Sequence, residues 1–144
     1  MGKPTNDYGY TYTYAPDRYC PLIIKTDSSG TIQELKISNV RGRGGAGFPF
    51  WFKLDAVIKE DNGQKYIVCN ADEGDPGAYS DMYLMEHQPH KVLFVMYMAG
   101  LTVGANTGVL YIRGEYPDSI RIVEEAINEI KEKNLIGDFK FKVI

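Results

Sequence analysis

Two short runs of residues have the types and spacing to do chemistry. Gly42-Arg43-Gly44-Gly45-Ala46-Gly47 places four glycines in six positions around one arginine. With no side chains in the way, backbone amides can approach an anion closely and turn toward it. Arg43 and Lys53 set two cations within reach of whatever those amides hold. The second run, Cys69-Asn70-Ala71-Asp72-Glu73-Gly74-Asp75-Pro76-Gly77, packs three carboxylates and one amide into six residues bounded by Gly and Pro turn chemistry. An anion cradle followed by a cluster of hydrogen-bond acceptors suits a nucleotide, with phosphate at one end and ribose-like hydroxyls or a ring at the other.

Each run has competing explanations. The glycine run satisfies G-x-G-x-x-G, but that fingerprint should follow a buried strand and open a long helix. Here Phe48-Pro49 follows it, and the segment before it reads as a helix. A plain flexible loop is the simpler alternative. The acidic run misses the EF-hand pattern, which argues against calcium. His87 and His90 lie three apart with no nameable partners for a zinc site, so no metal is expected. His90, just after Pro89, reads as a helix-start residue, and Cys69, at the end of an apolar strand, as a small core residue.

The elements that must position these residues follow from periodicity. Tyr8, Tyr10, Tyr12 and Tyr14 alternate with small residues, as in an extended arm or edge strand. Residues 31–40 favour a helix begun near Ser28 or Ser29, although Leu35, Ile37 and Val40 would also suit a strand. Phe52, Leu54, Val57 and Ile58 form an amphipathic turn or two closed by Asn62-Gly63. Tyr66 to Cys69 has strand length. Pro89 opens a segment in which residues 92–103 are apolar on all sides, which predicts a buried helix too short for a bilayer. Val109 to Ile112 is a second strand. Pro117 and Asp118 start a helix with Ile120, Val123, Ile127 and Ile130 on one stripe. Phe139, Phe141 and Val143 alternate with Lys140 and Lys142, giving a third strand. Strand, helix, strand, helix, strand is an α/β unit: a Rossmann-like parallel sheet with flanking helices. The last strand runs to Ile144 with no helix after it, so the sheet reads as incomplete at the C-terminus. The expected domains are a Tyr-rich arm over residues 1–30 and, over residues 31–144, the N-terminal part of a nucleotide-binding domain.

Composition narrows the classes. The chain has 144 residues, 44% hydrophobic and 24% charged, as in soluble globular domains. A formal net charge of −3 does not indicate a nucleic-acid or anionic-membrane surface. The N-terminus lacks the apolar core of a signal peptide. Cys20 and Cys69 form no C-x-x-C pair, and reduced thiols in a cytoplasmic compartment are expected.

The runs 41–49 and 69–77, then Pro89-His90, then Tyr111-Ile112-Arg113-Gly114-Glu115-Tyr116-Pro117, occur in an order that resembles the NADH-binding flavoprotein subunit of respiratory complex I. The same family includes diaphorase subunits of NAD-linked hydrogenases and formate dehydrogenases. The resemblance covers roughly residues 40–140. It implies an FMN site with NAD(H) stacked over the flavin, in an NADH:acceptor oxidoreductase. By that resemblance the loop Gly42, Arg43, Gly44, Gly45, Ala46 and Gly47, with Lys53, binds cofactor phosphate. Asn70, Asp72 and Glu73 hydrogen-bond the flavin, Asp75 lies near the nicotinamide as the catalytic-site carboxylate, and Phe48 packs against the dinucleotide. Hydride transfer then needs two rings held face to face rather than a nucleophile.

Departures from the family pattern are local and global. Phe50-Trp51 stand where Thr-Gly is usual, and Leu54 stands where Trp is usual. An indole at position 51 is expected to obstruct the nicotinamide side. The family's second cofactor segment and the four cysteines of its [4Fe–4S] cluster come after the point this sequence reaches. Two distant cysteines cannot ligate such a cluster, so the cluster belongs to a continuation or a partner. The implied partners are other subunits of a multi-subunit oxidoreductase, with no nucleic acid and no direct membrane insertion. The implied location is cytoplasmic, peripheral on the inner face of a membrane complex where there is one. The alternative function is a non-catalytic nucleotide-binding or assembly module that keeps the fold without turnover.

Overall fold

The computed structural model describes residues 12–14, 21–23, 28–43, 45–61 and 63–144. Contacts divide the chain into two compact units, Met1–Glu60 and Asp61–Ile144.

In the first unit β1 (Tyr12–Tyr14) pairs antiparallel with β2 (Pro21–Ile23), Tyr12 standing opposite Ile23. The alternating tyrosine segment is therefore a strand at its described end; Tyr8, Tyr10 and Cys20 lie outside the described residues. Of the two readings of residues 31–40, helix is the one observed, as α1 (Ser28–Ile37). The turn after it passes through Asn39 at φ 51°, a left-handed conformation that Asn adopts more readily than most residues. The glycine loop follows, and α2 (Phe50–Lys59) comes directly after it. Lys36 of α1 sets its ammonium 4.4 Å from the Trp51 ring centre.

The second unit is the α/β sheet. Its strands are β3 (Tyr66–Ala71), β4 (Thr107–Ile112) and β5 (Lys140–Val143), parallel and in the order β3-β4-β5. β3 runs two residues beyond the expected strand and takes in Asn70. Between the strands lie α3 (Ser80–His87), α4 (Pro89–Val103) and α5 (Pro117–Glu132). Proline opens both α4 and α5, where its missing N–H costs nothing. Gly104, at φ 75°, closes α4 in the left-handed region.

Strand order and handedness together place the helices. Parallel crossovers are right-handed, and two that step in the same direction put their helices on the same face of the sheet. Register then sorts the side chains. Ala71, Leu110, Ile112 and Phe141 join one core with Met85 of α3, Leu93 and Met96 of α4, and Val123, Ile127 and Ile130 of α5. Tyr66, Val68 and Tyr111 point the opposite way and are exposed. The helices of this unit thus flank one face rather than two. α4 is likewise buried on one side only: Leu93 and Met96 are buried while Val95 and Leu101 are exposed. The expectation of a helix buried all round is corrected, because a helix over one sheet face has a back.

Gly100 in α4 is a packing requirement rather than a flexible point. A Cβ there would lie 2.4 Å from Phe139 Cε2. Phe139 makes edge-to-face contacts with Tyr97 at 5.4 Å and Phe141 at 5.1 Å, so its ring has little room to yield. Gly100→Ala gains about 1 kcal/mol of helix propensity, but overpacking costs about 1–3 kcal/mol. The expected outcome is net destabilisation of about 1 kcal/mol, read as a lower Tm. Phe139→Leu in the same background should return part of it.

Candidate functional site

The glycine loop is a closed hairpin. Arg41 and Pro49 form an antiparallel bridge, Gly42 N–H donates to the Phe48 carbonyl at 2.8 Å, and Phe50 N–H donates to the Val40 carbonyl at 3.0 Å. Arg41 locks the neck: its Nη1 donates to the Gly47 carbonyl at 3.1 Å and its Nε to Asn39 Oδ1 at 3.1 Å. Arg41 is therefore a clamp, whereas Arg43 is exposed with no hydrogen-bond or ion-pair partner among the described residues. Gly45 at φ 94° and Gly47 at φ 58° lie in the left-handed region, and a Cβ at either would meet nothing within 4 Å. Their requirement is conformational, not steric. Gly44 lies outside the described residues. Ala46 is exposed at the tip.

The loop follows a helix, not a strand, so this G-x-G-x-x-G is not the Rossmann turn. Phe48 is exposed and meets Phe52 edge to face at 5.6 Å, with Lys53 Nζ 5.7 Å from its ring centre. Trp51, half-buried in the first turn of α2, lies under the Lys36 ammonium and against Phe52 at 5.5 Å. That packing gives the indole a role in joining α1 to α2.

In the second unit the acidic run leaves the carboxyl end of β3, and the Arg113–Tyr116 run leaves the carboxyl end of its neighbour β4. Ligands of open parallel sheets bind at that edge. Asn70 Oδ1 accepts the Asp72 N–H at 3.0 Å, which sets the first corner of the turn. Ala78 N–H donates to the Asp75 carbonyl at 3.1 Å, and Gly77 at φ 82° sets the second. Asn70, Asp72 and Asp75 are exposed.

Glu73 is different. It is buried, and its carboxylate accepts Ser80 Oγ at 3.0 Å and the backbone N–H groups of Asp81 and Met82 at 3.1–3.3 Å. These are amides at the N-terminus of α3, whose N-cap residue Tyr79 supplies no side-chain cap. Burial by itself would push the Glu73 carboxyl up; the hydrogen bonds from Asp81, Met82 and Ser80 outweigh it and hold the pKa below the usual carboxylate range. The Asp81 carboxyl is raised by burial and by the charge of Glu73. Burial, with Asp81 nearby, also raises the Cys69 thiol, which therefore stays protonated and is no thiolate nucleophile.

A carboxyl depressed in the folded state stabilises the protein above its unfolded pKa and loses that contribution as pH falls through the folded value. Glu73 contributes in that sense, and Asp81 in the opposite one. The stability difference between wild type and Glu73→Gln is thus expected to be largest near neutrality. It should shrink as pH falls below the ordinary carboxylate range, measured by urea unfolding at several pH values.

Arg113 is legible in the sequence only as part of a motif, with no role. Its Nη1 donates to the Glu73 carbonyl, its Nε to Glu115 Oε2 at 3.1 Å, and its guanidinium carbon lies 5.2 Å from the Tyr116 ring centre. It ties the two loops of the sheet edge together. His90 sits in the first turn of α4, with Nε2 3.0 Å from Glu129 Oε2 of α5. Among the described residues no group of three or more His, Cys, Asp or Glu is arranged to hold a metal ion.

Residues 35–144 match the family described as the Nuo51 FMN-binding domain. The chain belongs to that family. The NADP-reducing hydrogenase subunit HndC of Solidesulfovibrio fructosivorans is 44% identical over 104 residues, covering 72% of this chain and 21% of the relative. The mitochondrial NADH dehydrogenase [ubiquinone] flavoprotein 1 of Dictyostelium discoideum is 39% identical over 119 residues, 81% of this chain and 25% of the relative. Among solved structures, an NAD+-reducing [NiFe]-hydrogenase in the air-oxidized state superposes with a TM-score of 0.73 at 30% identity, over 82% of this chain and 20% of that one. This FMN-binding-domain chain thus spans about a quarter or less of the length of the relatives it matches. The resemblance carried by the four motifs is borne out, as is the α/β class with a parallel sheet and flanking helices. Among the described residues no helix is long and apolar enough to cross a membrane.

Proposed function

We propose that this chain supplies FMN-binding groups to an NADH:acceptor oxidoreductase, working beside other subunits that carry iron–sulfur clusters. The observation that carries this reading is the loop pair at the carboxyl edge of the β3-β4 sheet, which presents exposed acceptors in a chain that matches a family of FMN-binding domains.

Each unit, taken by itself, carries groups whose chemistry suits part of such a cofactor. Left-handed Gly45 and Gly47 and the exposed cations Arg43 and Lys53 suit a phosphate. Asn70, Asp72 and Asp75 offer acceptors to ribityl hydroxyls and ring N–H groups. The redox chemistry would be the cofactor's own, hydride in from NADH and single electrons out to the clusters. This chain's part is to bind and orient. Arg43 and Lys53 would balance the phosphate charge, the Asn70 and Asp72 side chains would hold the ring side, and Asp75 would serve the nicotinamide. Phe48 offers an exposed aromatic face to the dinucleotide.

The test is direct. The protein, assembled with its partner subunits and loaded with FMN, is mixed anaerobically with NADH while the flavin absorbance is followed. Rapid bleaching is expected. FMN bound without bleaching would favour the non-catalytic nucleotide-binding module, and failure to bind FMN would defeat the reading.

A further inference from the structure

We propose that Glu73 and Arg113 are positioning residues: they hold the turn after β3 in its binding shape, and the Glu73 carboxylate is not itself a cofactor contact. The inference rests on the FMN-binding reading above and departs from it at Glu73, which the family resemblance counts among the flavin's hydrogen-bonding partners.

Burial and the donors already on the carboxylate carry the argument. An ionised carboxylate accepts and cannot donate, with two acceptor sites on each oxygen. Oε1 takes Ser80 Oγ at 3.0 Å and Asp81 N–H at 3.1 Å; Oε2 takes Asp81 N–H at 3.2 Å and Met82 N–H at 3.3 Å. Three donors occupy the carboxylate, the Asp81 N–H being shared between both oxygens, and the side chain is buried. A ligand N–H would have to enter this buried site and compete with the Ser80, Asp81 and Met82 donors, and an amide it displaced at the helix N-terminus would be left unpaired.

The same residue is gripped from the other side, because its main-chain carbonyl accepts Arg113 Nη1. Arg113 is itself oriented by Glu115 and by the Tyr116 ring. Glu73 is thus fixed by its side chain to α3 and by its backbone to the loop after β4. Asp72 and Asp75, its near neighbours on the turn, remain exposed. A single tether at the middle of the turn fixes where both free carboxylates stand.

The experiment uses the assembled protein stripped of flavin, in wild-type form and as Glu73→Ala, Glu73→Gln, Arg113→Ala, Arg113→Lys and Asp72→Asn. Hydrogen exchange over residues 72–83 is read without flavin, and FMN and riboflavin affinities are read by fluorescence quenching. Glu73→Ala and Arg113→Ala should speed exchange across the turn and α3 start. They should also weaken FMN and riboflavin by the same factor, about tenfold or more, since misplaced groups act through geometry. Glu73→Gln and Arg113→Lys, which keep one acceptor or one donor, should recover part of both losses. Asp72→Asn should weaken binding with exchange unchanged.

Weaker FMN binding in Glu73→Ala with unaltered flavin-free exchange would overturn the proposal and make Glu73 a direct contact. Faster exchange with unaltered affinity would overturn it too, reducing the tether to a stabilising role. If Glu73→Ala fails to fold, Glu73→Gln and the Arg113 pair decide. Wild-type protein that binds no flavin would defeat the functional reading and the positioning role with it. The flavin-free exchange data would still show whether the two residues order the turn.

Discussion

Truncating Leu110 to alanine is expected to cost about 3–4 kcal/mol of stability, within the range for fully buried leucines. Leu110 has no exposed surface and sits on the central strand, opposite Cys69 of β3 and Val143 of β5. Neighbours on both sides are held by sheet hydrogen bonds, so the site cannot collapse onto the cavity. Against a typical total of about 5–15 kcal/mol, that loss is a large fraction of the fold's stability. Tyr111, one residue on, faces the other way and is 48% exposed. Tyr111→Ala is expected to cost about 1 kcal/mol or less. Urea unfolding should shift the midpoint for Leu110→Ala with little change in slope. Equal losses at the two positions would contradict a sheet covered by helices on one face.

Removing the loop cations should separate FMN from riboflavin. A charge-assisted contact is worth about 1.5–3 kcal/mol, roughly 10–100-fold in affinity. Arg43→Ala and Lys53→Ala are each expected to weaken FMN by about that factor and riboflavin hardly at all, because riboflavin has no phosphate. The Lys53 effect on riboflavin should exceed that of Arg43. Lys53 also lies near the Phe48 ring, a contact worth about 0.5–1 kcal/mol when exposed. Raising the salt concentration should erode the FMN preference of the wild type, as screening requires. Equal losses for the two ligands would make both cations structural.

How far the sequence reaches depends on whether the stabilising partner of each residue is local. β3 and β4 announce themselves as short apolar runs, and Phe139, Phe141 and Val143 alternate with lysines because one face of that segment is buried. In α5 the stripe of Val123, Ile127 and Ile130 follows the helical period, and all three are buried. The glycine loop and the acidic run are legible for the same reason, since φ above zero and acceptor density are properties of neighbouring residues. α3 has no such local signature. Ser80–His87 carries no clear apolar stripe, and its N-terminus is capped by Glu73 from outside the helix. A second polar tie is Ser119 Oγ of α5 donating to Glu86 Oε1 at 2.9 Å. Both polar partners lie outside the helix's own sequence, and a single buried Met85 makes no periodic pattern.

Tertiary structure alone decided three further matters. That the helices of the sheet unit share one face follows from strand order combined with right-handed crossovers, and strand order is not a periodicity. That Trp51 lies beneath Lys36 required α1 and α2 to be packed together. And Glu73, which reads as one carboxylate among three, is set apart by burial beneath helix amides and by Arg113, 40 positions away. Residue types showed a glycine-rich loop and a cluster of acceptors; the fold determined which acceptors stay exposed, because a buried carboxylate held by Ser80 and two helix amides presents little to a ligand.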